Sequence, residues 1–227
     1  MSKKNLTQEE LAVNEAVSKT EQFFEKYGKW CIVSLVVLLL LVGGAYAYKT
    51  LVWDKDVVAA EKLIVKAQER FSAATPNYDL ALNGDENGAG FKQVADEYSW
   101  TPAGNIAKHY AGICYLKLND LENAAKYLAS YSTVSGLANE IVNAQNLGLQ
   151  GDVAGEQGDY EKAAKFYAKA VKESKNNYTA PLYLYKGGMA LKAAGKLEEA
   201  KECFETLLAD YPSAMESRDA EMALGTL

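Results

Sequence analysis

At three nearly evenly spaced points in this chain a glycine is followed twelve residues later by an alanine: Gly112 and Ala124, Gly151 and Ala163, Gly188 and Ala200. Small residues at both points let the backbones of two antiparallel helices approach closely, so the recurrence predicts three helical hairpins. The glycines lie 39 and 37 residues apart. Hairpins of this size bury their apolar faces by stacking on one another, which predicts a continuous core closed by a capping element at the end.

The side chains around each pair sharpen the expectation. The third copy reads Leu184, Gly188, Leu191, Ala200, Phe204 and Pro212. The second adds the turn Gly158-Asp159-Tyr160-Glu161 before Ala163 and Tyr167, and the first supplies Gly112, Tyr115, Ala124 and Leu128. This resembles the tetratricopeptide repeat (TPR), whose period is about 34 residues, so the connections must absorb a few more. With only four prolines and no clear strand alternation, the expected fold is all-α: one transmembrane helix followed by a TPR-type α-solenoid of antiparallel helical hairpins.

The membrane helix is read from Trp30 to Tyr48, a run without a charged residue. At about 1.5 Å rise per residue it spans about 28 Å, close to the hydrocarbon thickness of a bilayer. Tyr27 and Trp30 stand at one end, and Tyr46, Tyr48 and Trp53 at the other, as aromatic belts require. A cleaved signal peptide competes, because Ala45-Tyr46-Ala47 has the small-x-small form of a cleavage site. The long preceding segment with five acidic residues and the length of the apolar run favour an uncleaved anchor. Gly43 and Ala47 add a small-xxx-small pair of the kind common in spans.

Orientation follows from the lysines. Lys19, Lys26 and Lys29 precede the span, and Lys49, Lys55, Lys62 and Lys66 follow it. Long domains translocate regardless of charge, and Lys3 and Lys4 add to the short tail, so the reading is N-terminus cytoplasmic and repeats outside.

The remaining organisation divides accordingly. Residues 1–29 form an N-terminal amphipathic tail, with Thr7 and Glu10 as a capping box and Val13, Ala16, Val17, Thr20, Phe24 and Tyr27 at helical spacing. Residues 49–102 hold a linker helix, Asp54 to Ala74, and a degenerate first hairpin. Its second helix is expected from Phe91 to Ser99, after an acidic loop at 75–90. Residues 103–212 carry three TPR hairpins, and 213–227 a C-terminal capping helix.

The net charge of −6 lies wholly after residue 48, which disfavours nucleic acid as a partner. Cys31, Cys114 and Cys203 show no metal-ligand spacing and read as apolar thiols. The loop Asn83-Gly84-Asp85-Glu86-Asn87-Gly88 imitates the first half of a calcium-binding loop. Position 12 is Val94 where a bidentate carboxylate is needed, so a solvated insertion is expected instead. The sole histidine, His109, lacks an identifiable nucleophile or carboxylate partner and is read as a groove or packing residue. No metal, cofactor or catalytic motif is expected, and the protein is read as a binder, not an enzyme.

Transferring the TPR groove positions gives Ile106, His109, Tyr110, Ile113 and Leu116 from the first hairpin, Leu149 and Asp152 from the second, and Leu182, Tyr185, Lys186 and Met189 from the third. This stripe suits apolar helices or extended segments. The alternative is that part of it packs against Asp54 to Ala74 or the capping helix.

The whole layout of short tail, single span, linker helix, degenerate hairpin and TPRs resembles the YfgM-like family of bacterial inner-membrane proteins. That resemblance implies an ancillary subunit of the Sec translocon (SecYEG), with its TPR domain in the periplasm beside a PpiD-like membrane-anchored chaperone, assisting exported polypeptides. A scaffold for another envelope complex, in secretion, division or outer-membrane assembly, has the same sequence features.

Overall fold

The computed structural model describes residues 8–227, without the side chains of 8–16, 19, 22, 24, 137 and 138. Thr7 and the side chains of Glu10, Val13, Ala16 and Phe24, which define the expected tail helix, therefore lie outside the described residues. The chain divides into two compact units, residues 1–55 and 56–227.

The first unit is the helix α1, Gln8–Tyr48, followed by a π-helical turn, Lys49–Trp53. Thr50 accounts for the turn. Its Oγ1 donates to the carbonyls of Tyr46 at 3.1 Å and Ala47 at 3.3 Å, competing with the backbone for the same acceptors. Lys49 and Asp54 pair across it at 3.3 Å. The helical run Glu25–Phe71 contains an 18-residue stretch of mean hydropathy 2.4, none of it buried. It is long and apolar enough to cross a membrane.

The second unit is helical throughout except for one two-residue hairpin. After α2, Asp54–Phe71, come α3, Tyr78–Asn83, and the strands β1, Gly84–Asp85, and β2, Gly88–Ala89, paired antiparallel. Then follow α4, Phe91–Glu97; α5, Pro102–Lys117; α6, Leu121–Ser130; α7, Leu137–Glu156; α8, Tyr160–Glu173; α9, Thr179–Ala193; α10, Leu197–Asp210; and α11, Ser217–Leu224. Helices α5 with α6, α7 with α8, and α9 with α10 are the three expected hairpins, and α11 packs on α10 and α9.

Each hairpin turns by the same local chemistry. The first helix ends on a residue in the left-handed region, Asn119 (φ 61), Gly158 (φ 80) or Gly195 (φ 76). Paired backbone bonds close the end: Asn119 donates to the Leu116 carbonyl and Asp120 to Tyr115, Gly158 to Gly155 and Asp159 to Ala154, Gly195 to Lys192 and Lys196 to Leu191. The next helix then starts on Asp120 or Asp159, whose carboxylates accept from the N–H of Asn123 and Lys162 at 3.1 Å. The third hairpin has Lys196 at this place, with no side-chain cap.

The small-residue rule operates differently from the expectation. Ala124, Ala163 and Ala200 are buried, but the glycines do not face them. A Cβ built on Gly112, Gly151 or Gly188 would lie 2.5 Å from Leu128, 2.6 Å from Tyr167 and 2.5 Å from Phe204. Each large side chain stands one turn beyond the alanine, so the glycine is its seat while the alanine keeps the two backbones close.

The segment read as a solvated loop at 75–90 is instead folded. Asn77 caps α3 by accepting from Leu80 N–H at 3.0 Å, and Ala81, Leu82 and Ala89 are buried. Arg70, at the end of α2, fastens this segment. Its guanidinium donates to the carbonyls of Leu80 at 3.3 Å and Gly88 at 3.1 Å and to the carboxylate of Asp85. The Asn87 backbone N–H and the Arg70 guanidinium hold Asp85 below the usual carboxylate range. The degenerate hairpin is therefore irregular: α4 packs on α5, while α2 reaches the same core through Ala60, Ile64, Ala67 and Phe71.

Candidate functional site

The first helices of the hairpins, α5, α7 and α9, carry all eleven residues of the expected groove, and the structure divides them. In the first hairpin His109 is buried, and Ile106, Tyr110, Ile113 and Leu116 are half-buried. Tyr110 stacks on Phe91 with centroids 5.0 Å apart and meets Phe71 edge-on at 5.1 Å. Ile106 and Leu149 pack on the same core, and Ile113 is half-buried. His109 is 3% exposed, so it is a packing residue, not a groove contact. Asn146 Nδ2 lies 3.3 Å from its Nδ1, and burial drives its pKa down from 6.5 to about 4. On this side α5 meets Phe71 of α2 and Phe91 of α4.

Solvent meets the remaining residues at the second and third hairpins. A cleft of about 520 Å³ is walled by Leu116 and Leu121 on one side and Asp152, Tyr167 and Lys186 on the other, with Lys117 and Glu156 at its edge. A second, of about 250 Å³, lies between Tyr160 and Tyr167 of α8 and Tyr185, Lys186 and Met189 of α9. Tyr167 and Lys186 line both, which makes the two clefts neighbours. Leu182 packs into the second core instead.

The shared wall is a fixed polar junction. Tyr167 hydroxyl donates to Asp152 Oδ1 at 2.7 Å, and Lys186 Nζ reaches the two Asp152 oxygens at 2.8 and 3.1 Å. The Lys186 ammonium also stands 5.9 Å from the centre of the Tyr167 ring. Burial, the bond to Asp152 and its charge push the Tyr167 phenol well above its ordinary value. Three helices are thereby joined at one carboxylate, and the apolar surfaces of Tyr185 and the 40% exposed Met189 flank it.

Sequence reasoning placed Asp152 and Lys186 on one face but missed Lys117, at the end of α5, and Leu121, Tyr160 and Tyr167, which belong to second helices. The signal for Tyr167 was present: it is the large residue opposite Gly151, and its ring extends past that glycine to Asp152. Elsewhere, Cys114 is buried, Cys31 and Cys203 are half-buried, and all three are free thiols. Burial pushes the Cys114 thiol up to about 12. Among the described residues no group of three His, Cys, Asp or Glu side chains is placed to hold a metal ion.

Stacked antiparallel hairpins with a shared core between neighbours, a repeated turn and a closing helix define a TPR-type α-solenoid, a class of protein-binding scaffold. Residues 156–221, from the end of α7 through most of α11, match the family described as tetratricopeptide repeat. No curated protein matches the chain.

Proposed function

We propose that this protein is a membrane-anchored adaptor that holds a segment of a partner protein in the paired clefts of its second and third hairpins. The observation that carries this reading is the junction of Asp152, Tyr167 and Lys186 between two clefts with exposed apolar walls. Rigid aromatic surface beside an oriented polar group is how binding sites combine affinity with register. Fixing Asp152 from two sides removes it as an unpaired charge and leaves Tyr160, Tyr185 and Met189 for apolar side chains of the partner. The role is binding, not catalysis: the one histidine is enclosed by packing, and the ordered polar groups of the clefts are already engaged with one another.

The finer reading is an ancillary subunit of the Sec translocon. It rests on the order of elements, one long apolar helix followed by the solenoid, and on the likeness to YfgM-like proteins. In that reading α1 crosses the inner membrane with its N-terminus in the cytoplasm. The solenoid then meets SecYEG, a PpiD-like chaperone or emerging polypeptides on the far side.

Gentle detergent extraction of the full chain followed by mass spectrometry tests the partner. Translocon channel subunits are expected, and their loss from the Tyr185→Ala variant assigns them to the clefts. Recovery of division or outer-membrane components alone overturns the translocon reading and replaces it with an envelope scaffold. Protease accessibility in sealed vesicles tests the sidedness, since cleavage of the solenoid from the cytoplasmic face reverses the orientation.

A further inference from the structure

The solenoid is not uniformly apolar between its units. Val153 and Leu149 of α7 reach the core shared by α2 to α6, while Ala144, Leu147 and Ala154 of the same helix belong to a separate core with α8 and α9. The interface of α5 with α7 is therefore apolar at Leu149 and Val153 and polar at its other end, around His109 and Asn146. Asn143 and Asn146 are 3% and 2% exposed, beside His109 at 3%. Asn146 bridges His109 and Gln150, the latter at 2.8 Å. Asn143 accepts from Tyr131 hydroxyl at 2.9 Å and donates to Glu173 Oε1 at 2.8 Å. Asn105 and the backbone of Ser132 exchange two hydrogen bonds of 2.8 Å.

That polar end is held by hydrogen bonds that water can replace, each contributing about 1 kcal/mol net. It also contains the only histidine of the chain. His109 faces the phenol rings of Tyr110 at 5.5 Å and Tyr131 at 5.8 Å and the amide of Asn146. The anionic group that the network brings to the seam is Glu173 of α8, which is taken up by Asn143; burial first, and then the Glu173 charge, raise the Tyr131 phenol. A proton on the imidazole would turn Nδ1 into a donor facing the Asn146 amide. Turning the Asn146 and Gln150 amides together would restore both bonds, but the added charge stays buried, with no carboxylate among the described residues bonded to the ring.

We propose that the seam between the first and second hairpins is an acid-sensitive hinge, with protonation of His109 as the event that opens it. Opening hydrates the imidazole and separates α5 from α7 at that end. Val153 and Leu149 stay packed and act as the pivot, and Leu116 and Asp152, opposite walls of the larger cleft, stand beside it, so acid changes the angle between these walls while the third hairpin keeps its packing. The difference between about 4 in the closed seam and 6.5 in water allows one proton to shift the equilibrium by up to roughly 300-fold.

Hydrogen exchange on the full chain in detergent micelles tests this, with rates corrected for the intrinsic pH dependence of amide exchange. At pH 4.5 against 7.5, amides of α5 and α7 along the seam are expected to lose protection by some tens of fold, while amides of α9 and α10 do not. The His109→Gln variant, neutral at both values, is expected to show no change. Asn146→Asp supplies a carboxylate to the protonated ring and is expected to keep the seam protected at pH 4.5. Unchanged protection in the natural chain overturns the hinge. So does an equal loss in His109→Gln, or a loss spread evenly over all hairpins.

Discussion

The ring of Phe204 lies against the backbone of Gly188, close enough that a Cβ on that glycine would stand 2.5 Å from Phe204 Cε1. Phe204 is fully buried and follows Gly188 by sixteen residues, the separation that also relates Gly112 to Leu128 and Gly151 to Tyr167. Two effects oppose each other in Gly188→Ala. Better helix propensity stabilises by about 1 kcal/mol, whereas overpacking a rigid buried ring costs about 1–3 kcal/mol. The ring has no free side to move into, so a net loss of about 1 kcal/mol or more is expected from urea denaturation. Combining Gly188→Ala with Phe204→Leu is expected to cost less than the sum of the two single changes, because the smaller side chain relieves the clash.

The turns give a second, local test. Asp159 caps α8 through its bond to Lys162 N–H, while Lys196 at the matching place in the third hairpin makes no such bond. Asp159→Ala is expected to lower stability by about 1 kcal/mol. Lys196→Ala removes only exposed ion pairs to Glu161 and Glu199, worth well under 1 kcal/mol. Equal shifts in thermal midpoint would show that the cap contributes nothing at this turn.

Tyr110 and Tyr185 occupy the same kind of position on α5 and α9, and their substitutions are expected to differ. Tyr110 is half-buried and packs against both Phe71 and Phe91, so Tyr110→Ala strips packing from the first core and costs about 2 kcal/mol. Tyr185 has Phe204 on one side at 6.0 Å and the smaller cleft on the other. Tyr185→Ala is expected to keep the fold, by far-UV circular dichroism, and to reduce partner recovery. Loss of binding without loss of stability in Tyr110→Ala would return the site to the first hairpin.

That contrast shows what was legible in the sequence. The hairpins were, because glycine and alanine positions, turn residues and cap residues act within some forty residues of chain. The split of the groove was not, because Ile106, Tyr110, Tyr185 and Met189 recur at helical spacing whether they face a partner or another helix. Only the placement of α2 and α4 decides between them. The fold of residues 75–90 was hidden for a related reason. Its helix α3, six residues long, is too short for a periodicity to be read, and the segment is held by Arg70 reaching fifteen residues ahead to Asp85.

Acid should destabilise the chain in two separate windows. His109 is held at about 4 when folded and titrates near 6.5 when unfolded. Between those values the unfolded state takes up a proton that the closed seam refuses, so stability is complete above 6.5 and falls as pH drops toward 4, by less where the open seam takes up the same proton. The full span of this effect is about 3 kcal/mol. Asp85, whose strongest partner is the Asn87 backbone N–H, and Asp120, bonded to Asn123, are both lowered from 3.8. Their stabilisation is present above that value and is lost only as pH falls through their folded values. Urea denaturation of the solenoid unit within the full chain at pH 7.5, 5.5 and 4.5 should therefore show a falling midpoint that His109→Gln removes. A midpoint that falls equally in both chains would assign the acid sensitivity to other groups.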